Sequence, residues 1–231
     1  MRCVQPAGER GSLRWIQHAV NERTEEFTAA VVDASGGRIG PEIEWRSPLK
    51  TDGFAEYRDA AFLELVGIDP SAVQLEEFWP RSGPQWDALG VTKAGEPVLV
   101  EAKANIREVI TPPTGAGEVS RKLIADSLEK TKAALGVTSA YDWTGTFYQY
   151  ANRLAHLYFL EEREKVSTWL VFVYFIGDAD VEGPESVAEW KAALEVMYGA
   201  MGLGRRSRLL KRKIDVFLDV RRPGWLGPHV K

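Results

Sequence analysis

Apolar and polar positions along the chain alternate with helical period in some segments and with strand period in others. Trp15, Ile16, Ala19, Val20, Phe27 and Val31 fall at helical spacing, so one helix is expected over 13–33, with Ser12 as its N-cap and Gly36-Gly37 as its stop. A short strand is expected over 42–47. A helix over 54–66 places Glu56 in its first turn and Glu64 near its end. Strands are expected over 73–79, 85–91 and 97–104, with a tight turn at Lys93-Ala94-Gly95-Glu96 joining the last two. A Pro/Gly loop over 111–117 follows, then helices over 119–135 and 146–164. The run Trp169-Leu170-Val171-Phe172-Val173-Tyr174-Phe175-Ile176 lies in the most apolar segment, 168–176, and reads as a buried strand. A helix over 184–201 and a strand over 213–220 complete the order. The expected class is α/β, with a central mixed sheet flanked by helices. The division expected is a helical extension over 1–50 and an α/β domain over 51–231.

The strand 97–104 carries the candidate chemistry. Side chains alternate faces along a strand. Val98, Val100 and Ala102 therefore share one face, and Leu99, Glu101 and Lys103 share the other. Folding back through the turn brings Asp87 within about one residue of Glu101. Two carboxylates and an ammonium then converge at the end of a strand too apolar for a sheet edge. Glu and Lys on a wet strand face are common, but charges at the end of a central strand need a reason. Mg²⁺, or Mn²⁺ in its place, takes carboxylate oxygens and keeps several waters. Asp87 and Glu101 suit such an ion, and the carbonyl of Ala102 lies between them. A bound water of lowered pKa attacks a phosphodiester, and Lys103 is placed to orient it or to offset the charge that develops.

Asp87, the hairpin and Glu101-Ala102-Lys103 resemble the PD-(D/E)xK nuclease superfamily, which includes restriction endonucleases, junction resolvases and repair nucleases. Here the proline, Pro84, stands three positions before the acid. The resemblance covers about residues 53–105, and the remainder by element order. It implies a restriction-endonuclease-like core and Mg²⁺-dependent hydrolysis of nucleic acid, most readily DNA. It allows a homodimer. It also implies a helix glutamate as a further acid, for which Glu56 is the candidate and Glu64 the reserve; a first-turn glutamate is equally what a helix dipole favours. On the helix 146–164, Gln149 and Arg153 share a face with His156. Relatives carry Q-x-x-x-Y there to position substrate or the metal water; this chain has Gln149-x-x-x-Arg153. The two side chains either bind substrate or form a solvated face, and His156 is either packed or solvated. Lys122 either meets phosphate or is a surface lysine.

Composition narrows the alternatives. The 231 residues carry 29 Lys and Arg against 33 Asp and Glu, a net charge of −4, which disfavours a general nucleic-acid binder. The alternative reading is accordingly a non-catalytic member of the same fold that binds nucleic acid or a partner protein. Positive charge is concentrated in Arg205, Arg206, Arg208, Lys211, Arg212 and Lys213, with Arg221-Arg222 beyond; this cluster either meets phosphates or is a solvated turn. Trp79 and Trp86 flank the segment before Asp87 and either stack on bases or fill the core. The single cysteine, Cys3, excludes an internal disulfide and a Cys-based zinc site, and fits a reducing cytoplasm. Three histidines leave little for a His-rich centre. No apolar run approaches the ~18 residues of a membrane span, and no signal peptide is expected. No nucleotide-binding glycine loop and no Ser/His/Asp arrangement points to other chemistry.

Overall fold

The computed structural model describes residues 1–204 and 207–225. A five-stranded mixed sheet has the order β2 (Ile43–Ser47), β4 (Ala88–Thr92), β5 (Pro97–Lys103), β6 (Trp169–Ile176) and β7 (Lys213–Asp219). β2–β4 and β4–β5 are antiparallel; β5–β6 and β6–β7 are parallel. A two-stranded ribbon pairs β1 (Arg2–Cys3) with β3 (Glu56–Tyr57) and touches the main chain before β4 through a Tyr57–Trp86 bridge.

Helices cover both faces. On one, α1 (Gly11–Glu22) and α2 (Thr24–Ala34) bury Trp15, Ile16, Phe27 and Val31 against Val98, Val100, Val171, Val173, Ile214 and Val216. On the other, α5 (Glu118–Leu135), α6 (Tyr148–Tyr158) and α7 (Val187–Met201) pack on Leu89, Leu99, Leu170 and Phe172. Coverage on both sides explains why β6 is apolar at every position instead of alternating with polar residues: successive side chains enter two different cores. Residues 1–50 supply β2 and the α1–α2 layer to this arrangement. Among the described residues no helix is long and apolar enough to cross a membrane.

Three expectations are corrected. The helix expected over 13–33 breaks at Arg23, where the backbone leaves helical angles (φ −132°, ψ 33°), and the Thr24 hydroxyl donates back to the Val20 carbonyl at 2.6 Å. Its N-cap is Arg10, and the Ser12 hydroxyl donates instead to Glu108. The segment expected as strand 73–79 contains the short helix α4 (Leu75–Phe78): Leu75 and Phe78, three apart, are buried, while Glu76 and Glu77 between them face solvent. The helix expected over 54–66 is only α3 (Ala60–Leu65). Gly53, Phe54 and Asp59 all have left-handed φ values (63°, 50° and 54°), which no continuous right-handed helix accommodates. Glu56 consequently lies on the β1–β3 ribbon, opposite Cys3.

The edge pairing of β2 with β4 depends on Gly90. A Cβ there would stand 2.9 Å from Ile43 Cγ2 and 3.1 Å from the Glu44 carbonyl oxygen. Gly90→Ala is expected to destabilise the fold by about 1–3 kcal/mol through overpacking. Denaturant unfolding measures this; an unchanged midpoint would show that β2 yields freely.

Candidate active site

The site lies where the antiparallel hairpin and the parallel strands share an edge. Asp87 directly precedes β4, and Glu101 and Lys103 end β5, so the register places the three together. The Ala102 N–H donates to Asp87 Oδ2 at 2.7 Å, and the Asp87 N–H donates to the Val100 carbonyl at 3.2 Å. Val98, Val100 and Ala102 enter the α1–α2 core, and Leu99 enters the opposite one. Glu101 and Lys103 therefore point toward α6, as the alternation requires.

The α6 helix meets them with two side chains one turn apart. The Lys103 ammonium bonds Glu101 Oε1, and also donates to Gln149 Oε1 at 2.8 Å. Arg153 Nε donates to Glu101 Oε2 at 2.6 Å, and its Nη2 donates to the Gln85 carbonyl at 2.7 Å. The guanidinium also lies 4.7 Å from the Trp86 ring centre. Arg153 is only 2% exposed, so it holds the acid and does not form a solvated face. Gln149 is itself fixed by its backbone N–H, which donates to Thr111 Oγ1 at 3.1 Å. This brings the segment after β5 to the site. A pocket of about 10 Å³, the space of a single water, reaches Glu101 and Lys103 between Glu108, Thr111 and Gln149.

Glu56 reaches the same group from the ribbon. It is buried, and its Oε2 accepts from Gln5 Nε2 at 3.2 Å and from Gln85 Nε2. Gln85 thus bridges Glu56 to Arg153. The sequence reading missed Gln85 and Gln5. Gln85 carried a signal, since it stands two residues before Asp87.

The remaining candidates are elsewhere. Glu64 is exposed on α3. Lys122 is exposed on α5 and pairs with Asp126 at 2.7 Å. His156 is packed: its ring meets Trp79, Trp86 and Phe62 edge-on, its Nδ1 bonds the Asn152 carbonyl at 2.8 Å, and burial lowers its pKa to about 3. Trp79 and Trp86 are core residues. In the basic cluster, Arg212 pairs with Glu96 and Glu161, Lys213 with Asp215, and Arg221 with Glu185 and Asp219; Arg205 and Arg206 lie outside the described residues.

Three carboxylates and two cations share this small volume. Burial pushes Asp87 well above the usual carboxylate range, and repulsion from Glu101 and Glu56 adds to it against the pull of Lys103. Glu56 is raised by burial and by Glu101. Burial also acts to raise Glu101, but Arg153 and Lys103 outweigh it and hold Glu101 below its ordinary value. Among the described residues no three His, Cys, Asp or Glu side chains are gathered as a ready cation cage. Mg²⁺ does not require one, since one or two carboxylates with waters suffice. Asp87, Glu101 and Glu56 supply the oxygen-donor type that a hard divalent ion takes, and an ion there would displace the proton that burial favours on Asp87. Comparison with protein-family models, with curated proteins and with solved structures finds no match.

Two stability measurements follow from this electrostatic balance. Arg153→Ala leaves Glu101 buried without one of its two cations, and is expected to cost about 3–5 kcal/mol in denaturant unfolding; a loss below about 1 kcal/mol would mean that solvent replaces the guanidinium. Asp87 has a folded pKa above its unfolded one. The folded protein thus retains a proton that the unfolded chain has released, and this group's contribution to stability falls as pH rises from the usual Asp range through the raised value. Asp87→Asn is expected to raise the melting temperature of the metal-free protein at pH 7, with the difference closing in acid. An equal or lower melting temperature at pH 7 contradicts the raised pKa.

Proposed function

We propose that the chain is a divalent-cation-dependent nuclease, acting most readily on DNA, with a restriction-endonuclease-like core. The observation that carries this reading is the recessed group of Asp87, Glu101 and Lys103 at the end of the central hairpin, with Glu56 behind it. The sheet order supports it. Three neighbouring strands run antiparallel, and the fourth and fifth continue in parallel after helical crossovers. Open sheets of this kind offer their carboxyl edge to ligands, and β5 presents Glu101 and Lys103 at that edge.

The contacts support the following roles. Asp87 and Glu101 would hold Mg²⁺ or Mn²⁺, with the Ala102 carbonyl and Glu56 as further oxygen donors. When bound, the ion supplies a water of lowered pKa and offsets charge on the phosphate. Lys103 orients the attacking water and stabilises negative charge on the phosphoryl oxygens. Gln149 fixes the ammonium of Lys103, and Arg153 fixes the carboxylate of Glu101. Glu56, held by Gln5 and Gln85, completes the proton and charge network.

One observation favours the non-catalytic alternative: both oxygens of Glu101 are already engaged, by Lys103 and by Arg153. Melting in Mg²⁺ separates the two readings. A cation-binding site gains stability by mass action, and Asp87→Asn removes the gain.

The decisive assay incubates supercoiled plasmid and labelled single- and double-stranded oligonucleotides with the protein, with and without Mg²⁺ or Mn²⁺. Metal-dependent cutting is expected, reduced about 100-fold or more in Lys103→Ala. Full cutting by both Lys103→Ala and Asp87→Ala would remove the hairpin from the mechanism. Absence of cutting together with a melting temperature indifferent to metal would favour the binding protein.

A further inference from the structure

Both oxygens of Glu101 already carry a cationic partner. Lys103 bonds Oε1, and Arg153 Nε donates to Oε2 at 2.6 Å. A carboxylate oxygen has a second lone pair, but a divalent ion and an ammonium or guanidinium on the same oxygen repel each other strongly in a buried site. An ion that takes Glu101 therefore has to replace one of the two partners.

The two are held very differently. Arg153 keeps its place without Glu101. Its Nη2 donates to the Gln85 carbonyl at 2.7 Å, its Nη1 donates to Asn152 Oδ1 at 3.0 Å, and its guanidinium lies 4.7 Å from the Trp86 ring centre. These contacts satisfy the rigid fork from three directions, and the residue is 2% exposed. Lys103 has one other side-chain partner, Gln149 Oε1 at 2.8 Å. Its ammonium ends a flexible four-carbon stem. At 9% exposure it is the most accessible of the three, and it lines the narrow pocket beside Glu108 and Thr111.

We infer that Lys103 is an exchangeable occupant of the cation position. Its ammonium holds Glu101 in the ion-free protein and passes to Gln149 when a divalent ion arrives, while Arg153 stays on Oε2. No covalent bond changes: Glu101 Oε1 gives up one N–H···O contact and becomes an open oxygen donor. Exchange explains why one buried carboxylate has two cations of unequal anchorage. Arg153 keeps it in position, and Lys103 keeps it neutralised until an ion replaces it. Gln149 then retains the freed ammonium beside the site, where it can stabilise negative charge. This inference rests on the cation site of the cleavage reading and adds an order to it, since Lys103 is released only once the ion is in place.

The test titrates Mg²⁺ and, separately, Mn²⁺ into the full chain by calorimetry at fixed ionic strength. Lys103→Met keeps an unbranched stem and removes the charge. It is expected to bind the ion about tenfold more tightly than the parent, while its metal-dependent cutting falls. Gln149→Leu removes the acceptor to which the ammonium passes, and is expected to bind about threefold more weakly. Simple charge repulsion predicts no loss in Gln149→Leu, because that variant keeps both cations. Circular-dichroism melting confirms that each variant is folded. An affinity in Lys103→Met equal to or below that of the parent overturns the inference and leaves the cleavage reading standing. Parent-like binding by Gln149→Leu does the same. Binding by neither the parent nor Lys103→Met overturns the inference together with the cation site on which it rests.

Discussion

The structure turns on one buried carboxylate. Glu101 is 1% exposed at the end of the central strand, and an isolated charge there would be costly enough to neutralise or to prevent folding. It remains ionised because Lys103 takes one oxygen and Arg153 the other. Each partner is then held by something else: Lys103 by Gln149, and Arg153 by the Gln85 carbonyl and the Trp86 ring. The carboxylate thus ties together β5, α6 and the segment leading into β4. Such a network is seldom the most stabilising way to fill a core, since apolar residues of similar volume often do as well. What it contributes is position. It fixes the register of α6 on the sheet and leaves Asp87 as the acid whose charge is least compensated.

That arrangement requires the sheet to be covered on both faces. Were the α1–α2 layer absent, Val98, Val100 and Ala102 would face water, and β5 would be a half-exposed strand. With that layer in place, β5 and β6 are buried along their whole length, and Glu101 and Lys103 lie where the dielectric is low. Low dielectric strengthens each pairing and raises the cost of each unpaired group. The same condition accounts for the raised pKa of Asp87, which has only a backbone N–H from Ala102 and the more distant Lys103 to offset its neighbours.

The legible part of the sequence was local. Alternation along 97–104 was enough to separate Glu101 and Lys103 from Val98, Val100 and Ala102, and the Gly95 turn set the hairpin that brings Asp87 across. Helical spacing put Gln149 and Arg153 on one face of the helix, but not against Lys103 and Glu101. A solvated face and a buried, ion-paired one have the same residue types at the same intervals, and only the β5 charges opposite α6 decide between them. Glu56 stands on another element than the one expected. The apolar pattern of 54–66 reads as a helix, but three left-handed backbone angles turn the chain into a ribbon, and non-glycine residues such as Phe54 and Asp59 give no composition signal for that conformation. The short helix at Leu75–Phe78 failed for the complementary reason: four residues are too few for period to distinguish helix from strand.

The charge of the chain is better understood through these pairings than through its sum. The basic run leading into β7 read either as a phosphate-binding cluster or as a solvated turn; in the structure Arg212 pairs with Glu96 and Glu161, and Lys213 with Asp215. These acids come from the β4–β5 turn, from the helical turn that follows α6 and from β7 itself, so Arg212 ties the start of β7 to the β4–β5 turn and to the segment before β6. The face of the sheet beneath α6 and α7 consequently carries two polar groups, Glu101 with its cations and Asp215 with Lys213, separated by the aromatic pair Phe172 and Tyr174 of β6. Tyr150 stacks on Phe172 and bonds Tyr198, and it follows Gln149 directly on α6. One turn of one helix therefore contacts both groups. A displacement of α6 that altered the Lys103–Gln149 contact would also move Tyr150, which follows Gln149 directly in the chain.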